Sequence, residues 1–384
     1  MKVMQVIASM DKADGGAVQV VTELTRALAK KGIGITIFAP SHDDHEGDAI
    51  TIKNVEVRLF KKGFFSKHWG GYAPSLGRAL RNEAAHFDLI HLHGLWYYPL
   101  YAAYRAATLN RIPYLVTVHG ELAKQALQRR AFKKRIYSAL IQKKILKEAH
   151  AIHALSPMEA RDISRFVRNP DAVIIPNGIT IEEFRGGFDS QWIKNVYPQI
   201  KDKKIILFLG RVAEEKGLET LSQAFSIMTR KRSDVCLLIV GPDKWGYKAT
   251  LEKLLKREGI MDKVIFTGML TGDQKRSALG CANVFVLPSH SEGFGVAVLE
   301  AMLSGLPVVI SRQCGFKEVE KINAGRIVDI DAMTISKTLV ELLDNPRACK
   351  EMGERGKRFI EKRGYSWDSI GEKILSVYKK IVNH

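Results

Sequence analysis

Twelve short apolar runs alternate with stretches of helical periodicity along the whole chain. In the first half they are VMQVIAS, ITIFAP, DLIHLHG, YLVTVHG, AIHALS and VIIPNG; in the second, KIILFLG, VCLLIVG, VIFTG, VFVLPS, PVVIS and RIVDI. A continuous apolar run stopped by Gly, Ser, Pro or His is the pattern of a strand covered by helices on both faces. Its alternation with helices demands parallel α/β layers. In such sheets ligands gather outside the carboxyl ends of the strands, and that is where this sequence keeps its unusual residues.

At 384 residues the chain exceeds one ordinary core, so two domains are expected. The boundary falls after Pro176-Asn177-Gly178, because residues 179–203 lack clear periodicity and KIILFLG then opens a fresh strand–helix series. A last helix from about Trp367 to Ile381 follows the break at Gly364 and is expected to pack away from its own domain. No run approaches the ~18 apolar residues of a membrane-spanning helix, and MKVMQVIAS enters a strand without a cleavage site of small residues. Cys236, Cys281, Cys314 and Cys349 are widely spaced, with no CxxC, and read as reduced thiols of a cytoplasmic protein.

The net charge is +18, unevenly placed: residues 51–150 hold 18 Lys/Arg against 5 Asp/Glu. Between Lys124 and Lys147 stand nine basic side chains and no acidic one. Such a face suits nucleic acid, an anionic membrane or a phosphorylated substrate. In KQALQRRAFKKRIYSALIQKKILK, Leu127, Phe132, Ile136, Leu140 and Ile145 recur at near-helical spacing, the mark of a basic amphipathic helix. It either lies on an anionic membrane or packs its apolar stripe on the sheet. No helix-turn-helix or RNA-binding aromatic motif accompanies the charge, so nucleic acid is not an expected partner. An α/β protein that binds nucleic acid or membrane without enzymatic activity is the alternative reading. A Rossmann dehydrogenase is excluded by the missing GxGxxG and the absence of an acid after strand two.

Four features carry chemistry. Gly15-Gly16 joins the first strand to a helix from about Ala17 to Lys31; N–H groups there favour a phosphate, although a tight turn uses the same pair. GRVAEEKG, Gly210 to Gly217, sets Arg211 and Lys216 around a loop. A fork and a compact cation suit a diphosphate; otherwise Glu214 and Glu215 simply neutralise them. In HSEGFGVAVLE, Glu292 lies in a loop and Glu300 on the helix that starts near Gly295, ~8–12 Å apart. That is too wide to share a proton or a metal, and suits two acceptors gripping separate hydroxyl-rich parts of one ligand, beside the accessible backbone of Gly293 and Gly295. Helix capping by Glu292 is the plainer reading. Finally, His91 and His93 alternate on one strand: a metal pair without a third ligand, a cleft lining, or satisfied core residues. Asp329-Ile330-Asp331 reads as a turn.

SEGFGVAVLEAMLSGLPVV closely resembles the donor-site signature of retaining glycosyltransferases with the GT-B fold, of the group-1 (family 4) type, with its E-x7-E pair. GRVAEEKG is similar to that family's G-R-x4-K-G loop, Pro176-Asn177-Gly178 to its interdomain P-N-G, and Gly15-Gly16 to its N-terminal glycine loop. Val118-His119-Gly120 resembles its catalytic histidine motif, and YSWDSIGEKILSVYKK its terminal crossover helix. The resemblance implies two Rossmann-like, doubly wound parallel-sheet domains facing a central cleft. Residues 1–178 would form the acceptor side, with helix 367–384 crossing back onto it, and residues 179–366 the nucleotide-sugar donor domain.

It further implies that Arg211 and Lys216 hold the donor diphosphate and that Glu300 accepts from the ribose hydroxyls. Glu292 and the N–H groups of Phe294 and Gly295 would bind sugar hydroxyls. His119 would lie by the donor sugar, and Gly16 by the phosphates and acceptor. Gly15, Gly210, Leu270, Gly293, Val296 and Leu299 complete the implied donor site, with base contacts from the backbone near Gly268 to Leu270. The expected chemistry is metal-independent hexosyl transfer without a cofactor, from a UDP-sugar to a saccharide or lipid-linked acceptor, in polysaccharide or lipopolysaccharide assembly. The expected location is cytoplasmic, peripheral on the membrane through residues 124–147. Phe64-Phe65, Trp69 and Trp96-Tyr97-Tyr98 offer an acceptor platform, with Trp96 equally suited to the core.

Overall fold

A computed structural model describes residues 1–384 apart from 12–15, 42–49, 129, 130, 169, 187, 244 and 384. The chain divides into two compact units, Met1–Gly178 with Tyr365–His384, and Ile179–Gly364.

Among the described residues the first unit is built on seven strands: β1 (Lys2–Ile7), β2 (Gly34–Pro40), β3 (Glu56–Phe60), β4 (Leu89–His93), β5 (Tyr114–Thr117), β6 (Ala151–Ala154) and β7 (Ala172–Ile174). They lie in the order β3-β2-β1-β4-β5-β6-β7, every pairing parallel. The second unit has six: β8 (Lys204–Leu209), β9 (Val235–Val240), β10 (Val264–Gly268), β11 (Val284–Leu287), β12 (Val308–Ser311) and β13 (Gly325–Val328). Their order, β10-β9-β8-β11-β12-β13, is again all parallel. Each sheet is doubly wound. The strand order reverses between β1 and β4 in one and between β8 and β11 in the other, and such reversals open a crevice at the carboxyl ends.

All twelve apolar runs are strands. The thirteenth, β3, is an edge strand with every residue at least partly exposed, so its sequence EVRLF has no continuous apolar run to reveal it. The helix Trp367–Val382 belongs to the first unit, where Ile370, Ile374, Tyr378 and Ile381 join a core with Val18, Val21, Leu24 and Leu28 of the helix Gly16–Lys30. Lys31 and Glu372 pair across the two helices at 3.1 Å. The Asp329–Asp331 turn starts a helix: Asp331 accepts the Thr334 N–H at 2.7 Å, and Asp329 pairs with Arg312 at 2.9 Å.

The basic stretch is not the single amphipathic helix its spacing predicts. It runs as Lys124–Gln128, Ala131–Tyr137, a π-helical turn Ser138–Gln142 and Lys143–Lys147, and Arg129 and Arg130 lie outside the described residues. The apolar stripe splits accordingly. Ile145 is buried and Leu127 packs on the core, whereas Phe132, Ile136 and Leu140 are 77%, 48% and 71% exposed. A π turn inserts one extra residue per turn and rotates the face that follows it, so Ile145 turns to the core beyond the exposed Leu140, while Leu127 packs from the separate short helix Lys124–Gln128.

Candidate active site

In the second unit β8 ends at Leu209 and the chain loops through Gly210–Gly217 before the helix Leu218–Thr229. Its neighbour β11 ends at Leu287, and residues 288–295 lead into the helix Val296–Leu303. Both loops therefore leave the carboxyl ends of the two strands at the point of reversal. They touch because Gly217 has no side chain: at φ 69°, a Cβ there would lie 2.0 Å from the Pro288 carbonyl oxygen. The His290 N–H donates to the Glu215 carbonyl at 2.8 Å and laces the loops together.

That contact sets Lys216 on Glu292. Lys216 Nζ lies 2.5 and 2.8 Å from the two carboxylate oxygens, with the side chains only 11% and 14% exposed. Glu300, buried on the Val296–Leu303 helix, accepts from Lys275 Nζ at 2.6 Å. Arg211 pairs with Glu215 at 3.4 Å and stacks on Trp245, 5.1 Å from the ring centre. The sequence presents Glu292 and Glu300 as lone carboxylates; in the fold each carries a lysine. An unpaired carboxylate this far from water is too costly to keep. The neutralisation expected within the 210–217 loop is half realised, since Glu215 takes Arg211 and Lys216 goes to Glu292.

The remaining residues of the E-x7-E stretch divide by burial. Gly293, Phe294, Gly295 and Val296 are half-buried along the loop and first turn, and Phe294 meets Phe316 edge-on at 6.2 Å. Leu299 is 1% exposed, so its side chain is core and presents no surface. Leu270 is half-buried just beyond β10.

In the first unit Gly16 opens its helix, and a Cβ on it would meet no described atom within 4 Å. Nothing described inside the fold calls for its smallness. Gly15 lies outside the described residues. His119 follows β5 with a left-handed backbone, φ 54°, and its Nε2 is 3.3 Å from His93 Nδ1.

Beneath this turn His91 on β4, Thr117 on β5 and His153 on β6 are fully buried, Thr117 lying in register between His93 and His153. His153 Nε2 faces the Ile175 carbonyl at 2.7 Å and must donate to it. Its Nδ1 then accepts from Thr117 at 2.9 Å, Thr117 accepts from His91 Nε2 at 2.7 Å, and His91 Nδ1 accepts from the Tyr378 hydroxyl at 2.6 Å. One carbonyl thus fixes both tautomers. Burial holds all four histidines well below their ordinary range, His119 to about 3 and His153 to about 4. His91 is a satisfied core residue; His93 lies tilted against it, their rings 3.9 Å apart, with its Nε2 buried and without a partner. No group of three metal-ligating side chains occurs among the described residues.

Two family models match consecutive parts of the chain: Glycosyltransferase Family 4 over residues 14–183 and Glycosyl transferases group 1 over residues 189–359. This chain belongs to the group 1 glycosyltransferases. It is similar to the D-inositol 3-phosphate glycosyltransferase of Corynebacterium diphtheriae, 25% identical, across 95% of this chain and 90% of that protein. Of solved structures, sucrose-phosphate synthase from Thermosynechococcus elongatus superposes with a TM-score of 0.84 at 22% identity, covering 100% of this chain and 99% of that one. Anabaena HepE in complex with UDP and glucose superposes at 0.81 with 17% identity, covering 99% and 100%. The fold is GT-B, and the chain is a hexosyltransferase-class enzyme. The alternative of a binding protein without transferase activity falls with that assignment.

In this glycosyltransferase several groups beside the motifs escape a sequence reading. Lys275 sits on Glu300 from a helix 25 positions upstream, and no spacing rule ties the two. Trp245 backs Arg211 from a different loop. Glu121, directly after His119-Gly120, was the most findable: a lone acid in a strongly basic stretch, at a strand's carboxyl end.

Proposed function

We propose that this glycosyltransferase moves a hexose, with retention of configuration and without a metal, from a UDP-sugar to a saccharide or lipid-linked acceptor in polysaccharide or lipopolysaccharide assembly. The observation that carries the reading is the Lys216–Glu292 pair at the point of reversal of the second sheet, with Arg211 on the same loop. Glycosyl transfer leaves a nucleoside diphosphate anion and an oxocarbenium-like centre, so fixed cations at the leaving group matter most. When the donor enters, Lys216 exchanges a carboxylate oxygen for a phosphate oxygen, and Glu292 turns to the sugar hydroxyls. Arg211, braced by Trp245, takes the other phosphate. Glu300, its charge offset by Lys275, accepts from the ribose. Gly16 gives the donor phosphates and acceptor an open approach in the first unit, and His119 serves as a neutral donor or acceptor at the sugar.

The HepE structures with UDP and with UDP-glucose support uracil as the base. A thermal-shift screen of UDP, GDP and ADP tests it. UDP is expected to stabilise the protein by about 2.7 kcal/mol at 100 times its dissociation constant, and Lys275→Ala to reduce that shift. A larger shift with GDP or ADP would reassign the base; none with any of the three would remove the donor reading.

We also assign an anionic membrane face to residues 124–147, a peripheral rather than spanning role: no described helix is long and apolar enough to cross a membrane. Exposed Phe132, Ile136 and Leu140 among lysines and arginines support it. Co-sedimentation is expected with phosphatidylglycerol–phosphatidylcholine vesicles, but not with phosphatidylcholine alone, and is expected to weaken in Phe132→Ser/Leu140→Ser. Equal partitioning onto both vesicle types would exclude the charge-led docking.

A further inference from the structure

We infer that Glu121 is an acceptor-binding carboxylate, its free oxygen Oε1 receiving a hydroxyl of a saccharide acceptor that lies against Trp96. The inference rests on the transferase reading above and concerns the first unit alone.

Glu121 Oε2 accepts the Leu95 N–H at 2.8 Å. Oε1 has no donor among the described residues and projects over Gly94, where a Cβ would sit 3.1 Å from it. Lys134 acts on this carboxylate through its charge. The residue is half-buried, with one oxygen committed to the scaffold and the other without a donor among the described residues. Burial raises its carboxyl to about 8, against the downward pull of the Leu95 N–H and Lys134. The group therefore takes up a proton more readily than an exposed glutamate; ionised it accepts from a sugar hydroxyl, and protonated it both donates and accepts.

Two independent observations point to a ligand at the same spot. First, bulky residues with a left-handed backbone border Glu121: Trp96 at φ 67°, next to Leu95, and His119 at φ 54°, two residues before it. Histidine enters this region more readily than most residues, but for Trp96 such a backbone is a true outlier, costing about 1–3 kcal/mol, and outliers of this kind cluster at ligand clamps. Second, Trp96 Nε1 and His93 Nε2 are buried without a hydrogen-bond partner. Each flanks the 94–95 segment that holds Glu121, and an unmet buried donor or acceptor calls for an occupant. Polar atoms beside an aromatic face, with one free carboxyl oxygen, are the chemistry that recognises a sugar ring and its hydroxyls. Lys134 lies 5.2 Å from the Trp96 ring and completes the rim.

Octyl glycosides of glucose, galactose and mannose serve as acceptor probes for the full chain. Tryptophan fluorescence reads glycoside binding, and hydrolysis of the nucleotide sugar selected by the thermal screen reads the donor side. Glu121→Ala is expected to weaken glycoside binding and raise acceptor KM on the order of 10–100-fold, with donor hydrolysis unchanged. Glu121→Gln keeps an acceptor for the Leu95 N–H and one further donor, so it should fold as wild type and lose less. Unchanged acceptor KM in both variants, or an equal fall in donor hydrolysis, overturns the inference, as does a wild type that binds none of the glycosides. A wild type that binds glycosides but turns over no nucleotide sugar sinks the transferase reading and leaves the subsite standing.

Discussion

Lys216→Ala is expected to lower glycosyl transfer on the order of 100-fold or more, the usual result of removing one preorganised group at a developing charge. Two effects add. The leaving diphosphate loses its compact cation, and Glu292 is left as an uncompensated carboxylate beside the phosphates it now repels. The second effect also reaches stability. Both side chains are nearly buried, and breaking such a pair by removing one partner costs about 3–5 kcal/mol. Glu292→Ala in the Lys216→Ala background should therefore restore melting temperature without restoring turnover, and the double-mutant cycle separates the pair's structural role from its chemical one. Undiminished turnover in Lys216→Ala would remove the diphosphate assignment.

The second large effect is acid lability. His91, His93, His119 and His153 are all held neutral by burial, the last two titrating at about 3 and 4. In the unfolded chain each returns to about 6.5. Below that pH the unfolded state takes up protons that the folded state refuses, so stability present above pH 6.5 is lost as pH falls, at about 1.4 kcal/mol per pH unit for each histidine. Glu121 and Glu159 act in the opposite sense. Burial raises them to about 8 and 7, so their contribution grows as pH falls and is lost as pH rises through those values.

Four histidines against two glutamates leave a net uptake of two protons on unfolding, or about 3 kcal/mol per pH unit between pH 6.5 and 4.5. Melting temperature should therefore hold near pH 7 and fall steeply below pH 6, with His153→Asn flattening the slope by one proton. A melting temperature that stays level down to pH 5 would mean that these histidines already carry charge or reach water.

The comparison of strands explains what a linear reading captures. Twelve of thirteen were visible because a strand buried on both faces must be apolar along its length; β3 was not, because an edge strand keeps polar residues outward. Glycine loops, the arginine–lysine loop and the spaced acids were visible because each is local: a few residues at a strand's carboxyl end. The lysine on each acid was not, because Lys216 reaches Glu292 across 76 positions and Lys275 reaches Glu300 across 25. The basic amphipathic stripe was legible as composition and misleading as geometry, since a π turn in mid-course changes which side chains face out.

From residue order alone came the layers and the two domains, because periodicity and composition are set by which side chains must leave water; the groups proposed to meet a nucleotide sugar came from the family resemblance of local motifs. Tertiary structure alone decided which charge sits on which, which carboxylate keeps a free oxygen and which histidines stay neutral. Those properties depend on distance and desolvation between segments far apart in sequence, and Coulomb energy and burial are fixed only when the chain has closed on itself.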